Sequence, residues 1–209
     1  MRNQLKALLT EGKVALGAQL RFGSPAIAEL FGLAGYDWLL IDTEHAPQTP
    51  PGVMAQLQGA GCTPATVLVR VARNDPDLIK LYLDMGAAGI VAPFVNTSAE
   101  AQAGALACRY PPLGTRGWGP DRAAGYGLRS QEYTAASDRE VIFVPIIESA
   151  QAIENIEGIL GVEGVDSCIV GPVDLSISIG TPFDYQSQPF QQALDAVLVA
   201  ARRTGKPAG

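Results

Sequence analysis

Asp42, Glu44 and His45 stand together in DWLLIDTEHAPQTP (residues 37–50), directly after a run of large apolar residues, and His45 is the single histidine of the chain. A neutral imidazole beside carboxylates has the composition of a proton-transfer site: it titrates near neutrality, and a carboxylate such as Asp42 can orient the ring and raise its basicity. Glu44 reads as a residue that fixes the loop or a bound water. Three more charged groups interrupt apolar runs in the same way: Arg70 in ATVLVRVARND, Glu148 in VIFVPIIES and Asp174 in DSCIVGPVDLS. Two carboxylates that meet at one point suit a hard divalent cation, which takes oxygen ligands and keeps positions for water or a chelating substrate. A guanidinium in a buried strand needs an anion, either a neighbouring carboxylate or one carried by a substrate. In GPVDLS, Gly171 permits close backbone approach, and the amides that follow can face an anion before a helix begins. Each residue has a plainer reading too: helix caps for Glu148 and Asp174, a salt bridge for Arg70, a structural imidazole for His45.

Their shared position decides between these readings. Short β-rich runs begin near Val14, Trp38, Thr63, Gly89, Val141 and Asp166, the first four about 25 residues apart. Between them lie helical patterns such as SPAIAELFGLAGY, DPDLIKLYLDMGA and SAEAQAGALACRY. Continuous apolar strands alternating with helices predict a parallel sheet covered by helices. Ser24-Pro25 and Asp75-Pro76 supply N-caps followed by a proline in the first turn, and Gly32, Gly35 and Gly86 are expected at helix ends. No GxGxxG or Walker pattern follows the first strand, which leaves a nucleotide cofactor without support. The charged residues gather at the C-terminal ends of several strands, the layout of a (β/α)8 barrel rather than an open sheet.

Composition narrows the function classes. A net charge of −6 with no basic cluster argues against nucleic acid. The N-terminus is too polar for a signal peptide, and there is no 18-residue apolar span, so no membrane partner is expected. Cys62, Cys108 and Cys168 are odd in number and widely spaced, as reduced thiols of a cytoplasmic protein would be.

IDTEHAP (41–47), Arg70, PPLGTRGWG (111–119), Glu148-Ser149 and GPVDLS (171–176), in this order and spacing, resemble the HpcH/HpaI aldolase family. These are class II, metal-dependent pyruvate aldolases of the 4-hydroxy-2-oxoheptanedioate and 2-dehydro-3-deoxyglucarate type. The resemblance implies reversible aldol cleavage of 4-hydroxy-2-oxo acids to pyruvate and an aldehyde by way of an enolate. It implies Glu148 and Asp174 as ligands of Mg2+, Mn2+ or Co2+. It gives Arg70 the substrate's oxygens and any enolate charge, and Asp42 with His45 the handling of protons. Gly171, Pro172 and Val173 would hold the pyruvate carboxylate. The strand ends carry no lysine, in keeping with chemistry that needs no Schiff base. The resemblance also implies a homohexamer assembled from dimers.

Some positions depart from the family pattern. Ile146 stands where many members have glutamine, Gln19 where many have tryptophan, and Trp118 where a small aliphatic residue is frequent. Gln19 and Trp118 are expected to reshape the acceptor pocket, and Asp84, in LDMGAAG, to sit at a subunit boundary or in a helix's last turn. The chain is expected to form one barrel domain over residues 1–209 lacking its last one to two β/α units, with a stub of the seventh strand at Pro207–Gly209. Two other readings compete: a related carbon–carbon lyase (an oxaloacetate decarboxylase or a CoA-ester lyase), and a non-catalytic barrel whose polar tips serve assembly.

Overall fold

The computed structural model describes residues 2–209. In chain order the elements are α1 (Gln4–Thr10), β1 (Gly17–Leu20), α2 (Pro25–Leu33), β2 (Trp38–Asp42), α3 (Pro50–Ala60), β3 (Thr66–Arg70), α4 (Pro76–Asp84), β4 (Gly89–Ala92) and α5 (Ser98–Ala107). A 3-10 turn at Arg122–Ala124 follows, then α6 (Ser130–Glu140), β5 (Ile142–Ile147), α7 (Ala150–Glu154), α8 (Ile156–Leu160), β6 (Ile169–Val170), α9 (Pro172–Ser178) and α10 (Gln188–Thr204). The six strands form one curled sheet in the order β1 to β6, every pair parallel. Pro207–Gly209 runs along the free side of β6: Cys168 N–H donates to Pro207 O at 3.3 Å and Val170 N–H to Gly209 O at 2.8 Å.

Side chains alternate across a strand, and here both faces are apolar. Leu39, Ile41, Val67, Val69, Ile90, Phe143 and Ile147 point outward into the main core against the helices. Leu40, Leu68, Val91, Ile142, Val144 and Ile146 point inward and form a second cluster with Leu5. The inner cluster is closed at the N-terminal ends of the strands by α1, a helix the sequence reading did not pick out. Its cap Asn3 donates to Ala88 O at 3.1 Å and Glu140 O at 2.8 Å, and Leu5 N–H donates to Thr66 Oγ1 at 3.1 Å. One step above the inner apolar layer, at the same inward phase, stand Asp42 after Leu40, Arg70 after Leu68 and Glu148 after Ile146.

The N-caps lie where expected: Ser24 accepts from Ile27 N–H, and Asp75 accepts from Asp77 and Leu78 N–H, each with proline in the first turn. Gly35 and Gly86 follow α2 and α4 with φ of 95° and 101°, a conformation that favours glycine. Gly32 differs from expectation, since it lies inside α2. A Cβ there would meet Thr63 Oγ1 at 2.2 Å, so this glycine serves close packing rather than termination.

Leu68 is 1 % exposed in the inner layer directly below Arg70. Leu68→Ala is expected to destabilise the fold by about 2–5 kcal/mol through lost burial and a residual cavity, read from urea denaturation as a lower midpoint with unchanged slope.

Candidate active site

Asp42 and Arg70 are direct partners in the β2–β3 register. Asp42 is fully buried, so its charge must be met by donors. Arg70 grips it with two prongs, Nε to Oδ1 at 3.0 Å and Nη2 to Oδ2 at 2.5 Å. Gln19 Nε2, arriving from β1, donates to Oδ2 at 2.8 Å. The backbone N–H groups of Glu44 and His45 donate to Oδ1 at 3.0 and 3.1 Å, which folds the chain sharply after the strand. Burial alone would raise the Asp42 pKa, but Arg70 and these amides outweigh it and hold the carboxyl below its usual range. Asp42 therefore meets the backbone of His45 and not its ring. The ring lies half-exposed with Nε2 3.6 Å from Glu44 Oε2.

Glu44 Oε2 also lies 3.3 Å from Arg70 Nη1, close enough for charge attraction but without hydrogen-bond alignment. It is a buried oxygen without a hydrogen-bond partner. Burial raises the Glu44 pKa first, Arg70 and His45 oppose that, and Asp42 and Asp174 add to it. Glu148 is 4 % exposed at the tip of β5. Its Oε1 accepts the N–H of Phe94 at 2.7 Å. Burial, with the Phe94 N–H opposing and the charges of Glu44 and Asp174 adding, pushes Glu148 up to about 7. Asp174 sits in the first turn of α9. Gly171 makes room for this arrangement, because a Cβ there would stand 2.8 Å from Glu148 Oε2.

Asp42, Glu44, His45, Arg70, Glu148 and Asp174 thus share one end of the sheet, linked by contact or by mutual electrostatic influence. Gly171 N–H is committed to Ile147 O at 3.0 Å and Pro172 has none, so Val173 and Asp174 carry the open amides of the α9 first turn. Trp118 and Asp84 lie elsewhere. Because α4 runs antiparallel to the strands, Asp84 in its last turn sits towards their N-terminal ends. There it binds the buried Arg116 at 2.6 Å, whose guanidinium stacks 4.7 Å from the Tyr110 ring centroid. Trp118 Nε1 donates to Thr134 Oγ1 on α6 at 3.1 Å.

Sequence reasoning missed two contributors. Phe94 acts through its backbone from a left-handed conformation with φ of 49°, which no side-chain pattern announces. Arg21, directly after β1, donates from Nη2 to His45 O at 2.8 Å. Its signal was a charge one residue past a strand end.

Carboxylate oxygens such as those of Glu148 and Asp174 are the donors a hard divalent cation takes, and the charge of Glu44, whose Oε2 lacks a hydrogen bond, acts on Glu148. Among the described residues no group of three or more His, Cys, Asp or Glu is placed to hold a metal by itself. Two protein carboxylates leave the remaining positions to water or substrate, as such cations usually require. No helix among the described residues is long and apolar enough to cross a membrane.

The family model described as HpcH/HpaI aldolase/citrate lyase matches residues 20–208. The chain is 42 % identical to a 4-hydroxy-2-oxovalerate aldolase of Novosphingobium aromaticivorans, over 99 % of the chain and 79 % of that protein. It is 39 % identical to a 4-hydroxy-2-oxo-heptane-1,7-dioate aldolase of Escherichia coli, over 100 % of the chain and 80 % of that protein. Among solved structures, an HpcH/HpaI aldolase/citrate lyase family protein from Burkholderia cenocepacia J2315 superposes with a TM-score of 0.94 at 35 % identity, covering 99 % of this chain and 83 % of that one.

Asp42→Asn leaves the half of the pair on β3 without its anion and is expected to cost about 3–5 kcal/mol of stability. The pH dependence has a definite sign. The Asp42 carboxyl is held low in the fold, so its contribution is complete above the unfolded-state value of about 3.9 and fades as pH falls through the lower folded value. Melting temperatures below pH 5 should fall less steeply for the variant than for the wild type.

Proposed function

We propose, for a chain that belongs to the HpcH/HpaI aldolase/citrate lyase family, that it catalyses reversible aldol cleavage of a 4-hydroxy-2-oxo acid to pyruvate and an aldehyde. The observation that carries this reading is the gathering of Arg70, Glu148 and Asp174 around Glu44, with the histidine of the chain at the exposed edge. Named aldolases at about 40 % identity over the whole chain support it.

Glu148 and Asp174 are the residues that would hold a divalent cation, Mg2+ or Mn2+. When bound, the cation supplies Lewis-acid polarisation of the 2-oxo group, which acidifies the adjacent carbon. Arg70 keeps two nitrogens on Asp42 and presents Nη1 to the substrate's oxygens, a fixed positive charge that favours the enolate of pyruvate. His45 receives the 4-hydroxyl proton in cleavage and returns it in condensation. Glu44, against both the ring and Arg70, holds the imidazole towards the substrate. Asp42 acts through others: it fixes Arg70 and the turn that carries Glu44 and His45. Val173 and its neighbours Gly171 and Pro172 form the wall for the pyruvate carboxylate. The same reading takes the curled sheet, with Pro207–Gly209 as the first residues of a seventh strand, as the greater part of a single (β/α)8 barrel domain. It takes a homo-oligomer, a hexamer by family resemblance, as the working assembly.

The decisive experiment is exchange of the pyruvate C3 hydrogens in deuterated buffer, followed by proton NMR without any aldehyde. Exchange that depends on Mg2+ or Mn2+ is expected, and its absence in the folded wild type would overturn the reading. Loss of groups that merely orient a metal ligand costs about 10–100-fold, so Glu148→Gln is expected to lose at least that much of the exchange rate. Gly171→Ala pushes a methyl group against Glu148 and should weaken Mn2+ binding by about tenfold or more, measured by isothermal titration.

A further inference from the structure

Phe94 holds a backbone conformation that its side chain does not explain. Its φ of 49° lies in the left-handed region, which a residue with a Cβ seldom enters, and its ring is 52 % exposed, so packing does not impose it. Strained backbone persists where the surrounding contacts fix it, and such positions collect at functional sites. What this one achieves lies in the two backbone groups of Phe94. The N–H donates to Glu148 Oε1 at 2.7 Å, reaching from the end of β4 to the tip of β5. The carbonyl accepts from Asn96 Nδ2 at 3.1 Å.

Asn96 is itself fixed from several sides. It opens the stretch NTSAE (residues 96–100), which starts α5 with a capping box: Glu100 Oε2 accepts the N–H of Thr97 at 2.9 Å and also that of Asn96 at 2.7 Å. The Asn96 carbonyl accepts from Asn155 Nδ2 at 3.0 Å, at the junction of α7 and α8. Its Oδ1 accepts from the hydroxyl of Ser149, the residue after Glu148 and the N-cap of α7. The side-chain amide thus bridges the ends of two strands, its donor on the β4 side and its acceptor on the β5 side. Glu148 Oε2 lies against Gly171, the residue after β6, where a Cβ would stand 2.8 Å away. The two carboxylate oxygens are therefore divided, Oε1 towards β4 and Oε2 towards β6.

We propose that Asn96 is a positioning residue for Glu148: by holding Phe94 in its left-handed conformation it aims the Phe94 N–H at Oε1 and so leaves Oε2 for the cation. The inference rests on Glu148 as a ligand of the cation, as in the reading above, and adds the residue that sets its orientation.

The test is Mn2+ binding by isothermal titration, in a double-mutant cycle with Phe94→Gly. Groups that orient a metal ligand without touching the metal contribute about 10–100-fold to affinity, so Asn96→Ala is expected to weaken binding by about tenfold or more, with unchanged far-UV circular dichroism. Glycine takes the left-handed conformation without steric cost, so in the Phe94→Gly background the same substitution should cost at most about threefold. Equal losses in both backgrounds would mean that Asn96 only steadies the loop, and they overturn the proposal, as does wild-type affinity in Asn96→Ala. Asn96→Asp covers the case in which the alanine variant does not fold, since it keeps the acceptor for Ser149 and loses the donor to Phe94. Its added negative charge alone would tighten cation binding. Weaker binding therefore supports the lost aim, and binding as tight as in the wild type or tighter overturns the proposal. If Glu148→Gln binds Mn2+ as the wild type does, Glu148 is no ligand, and the reading beneath this inference fails whatever Asn96 does.

Discussion

The pairing of Asp42 with Arg70 is the interaction on which the site depends. A carboxylate with no exposed surface can stay ionised only where donors replace its water, and Asp42 draws them from β1, from β3 and from the turn after its own strand. The pair thereby does two things at once. It neutralises two charges that would otherwise be intolerable above an apolar layer. It also ties the turn at Glu44 and His45 to the sheet, so the exposed imidazole inherits a position from a buried salt bridge. Glu44 completes the link by facing Arg70 on one side and the His45 ring on the other.

The opposite wall is built on a different principle. Among the described residues Glu148 forms no ion pair, and Arg70 acts on it only at a distance. It is held by one backbone N–H, crowded by Glu44 and Asp174, and pushed up to about 7 by burial above all. One wall is electrostatically satisfied and the other is electrostatically hungry. Such a contrast between neighbouring carboxylates is a recurrent mark of functional sites, where environments drive the protonation of similar groups apart. The two walls meet because the sheet curls and because each acidic or basic side chain takes the inward phase of its strand.

Much of this was legible in the residues. Apolar runs broken by a single charge marked the strand tips, and Ser-Pro and Asp-Pro marked two helix starts, because both signals are local. Less legible were partnerships. Spacing placed Asp42 near His45 but could not show that a tight turn would present the backbone N–H rather than the ring. Phe94 contributes an amide, and every residue but proline has one. Gly32 has the local look of a helix end, yet it answers to Thr63 across the packing interface. Asp84 lies in the last turn of α4, one of its two expected places, and pairs there with Arg116, a partner no local pattern names, while the long connection after α5 carries Trp118 to Thr134 of α6. Chain direction and through-space contact were missing from the sequence pattern, and these are what separate the residues it located well from those it did not.

The strand order β1 to β6 has a consequence for how the molecule comes into being. Every strand pairs with its neighbours in the chain, so each pairing can form once the next β/α segment has been made. A chain emerging from the ribosome begins to fold at its N-terminal end. The first three strands contain Gln19, Asp42, His45 and Arg70, whereas Glu148 and Asp174 follow some eighty residues and more later in the chain. Assembly in that order sets the satisfied wall in place before the carboxylates that crowd one another arrive, and the last and least comfortable charges are added to a scaffold already fixed.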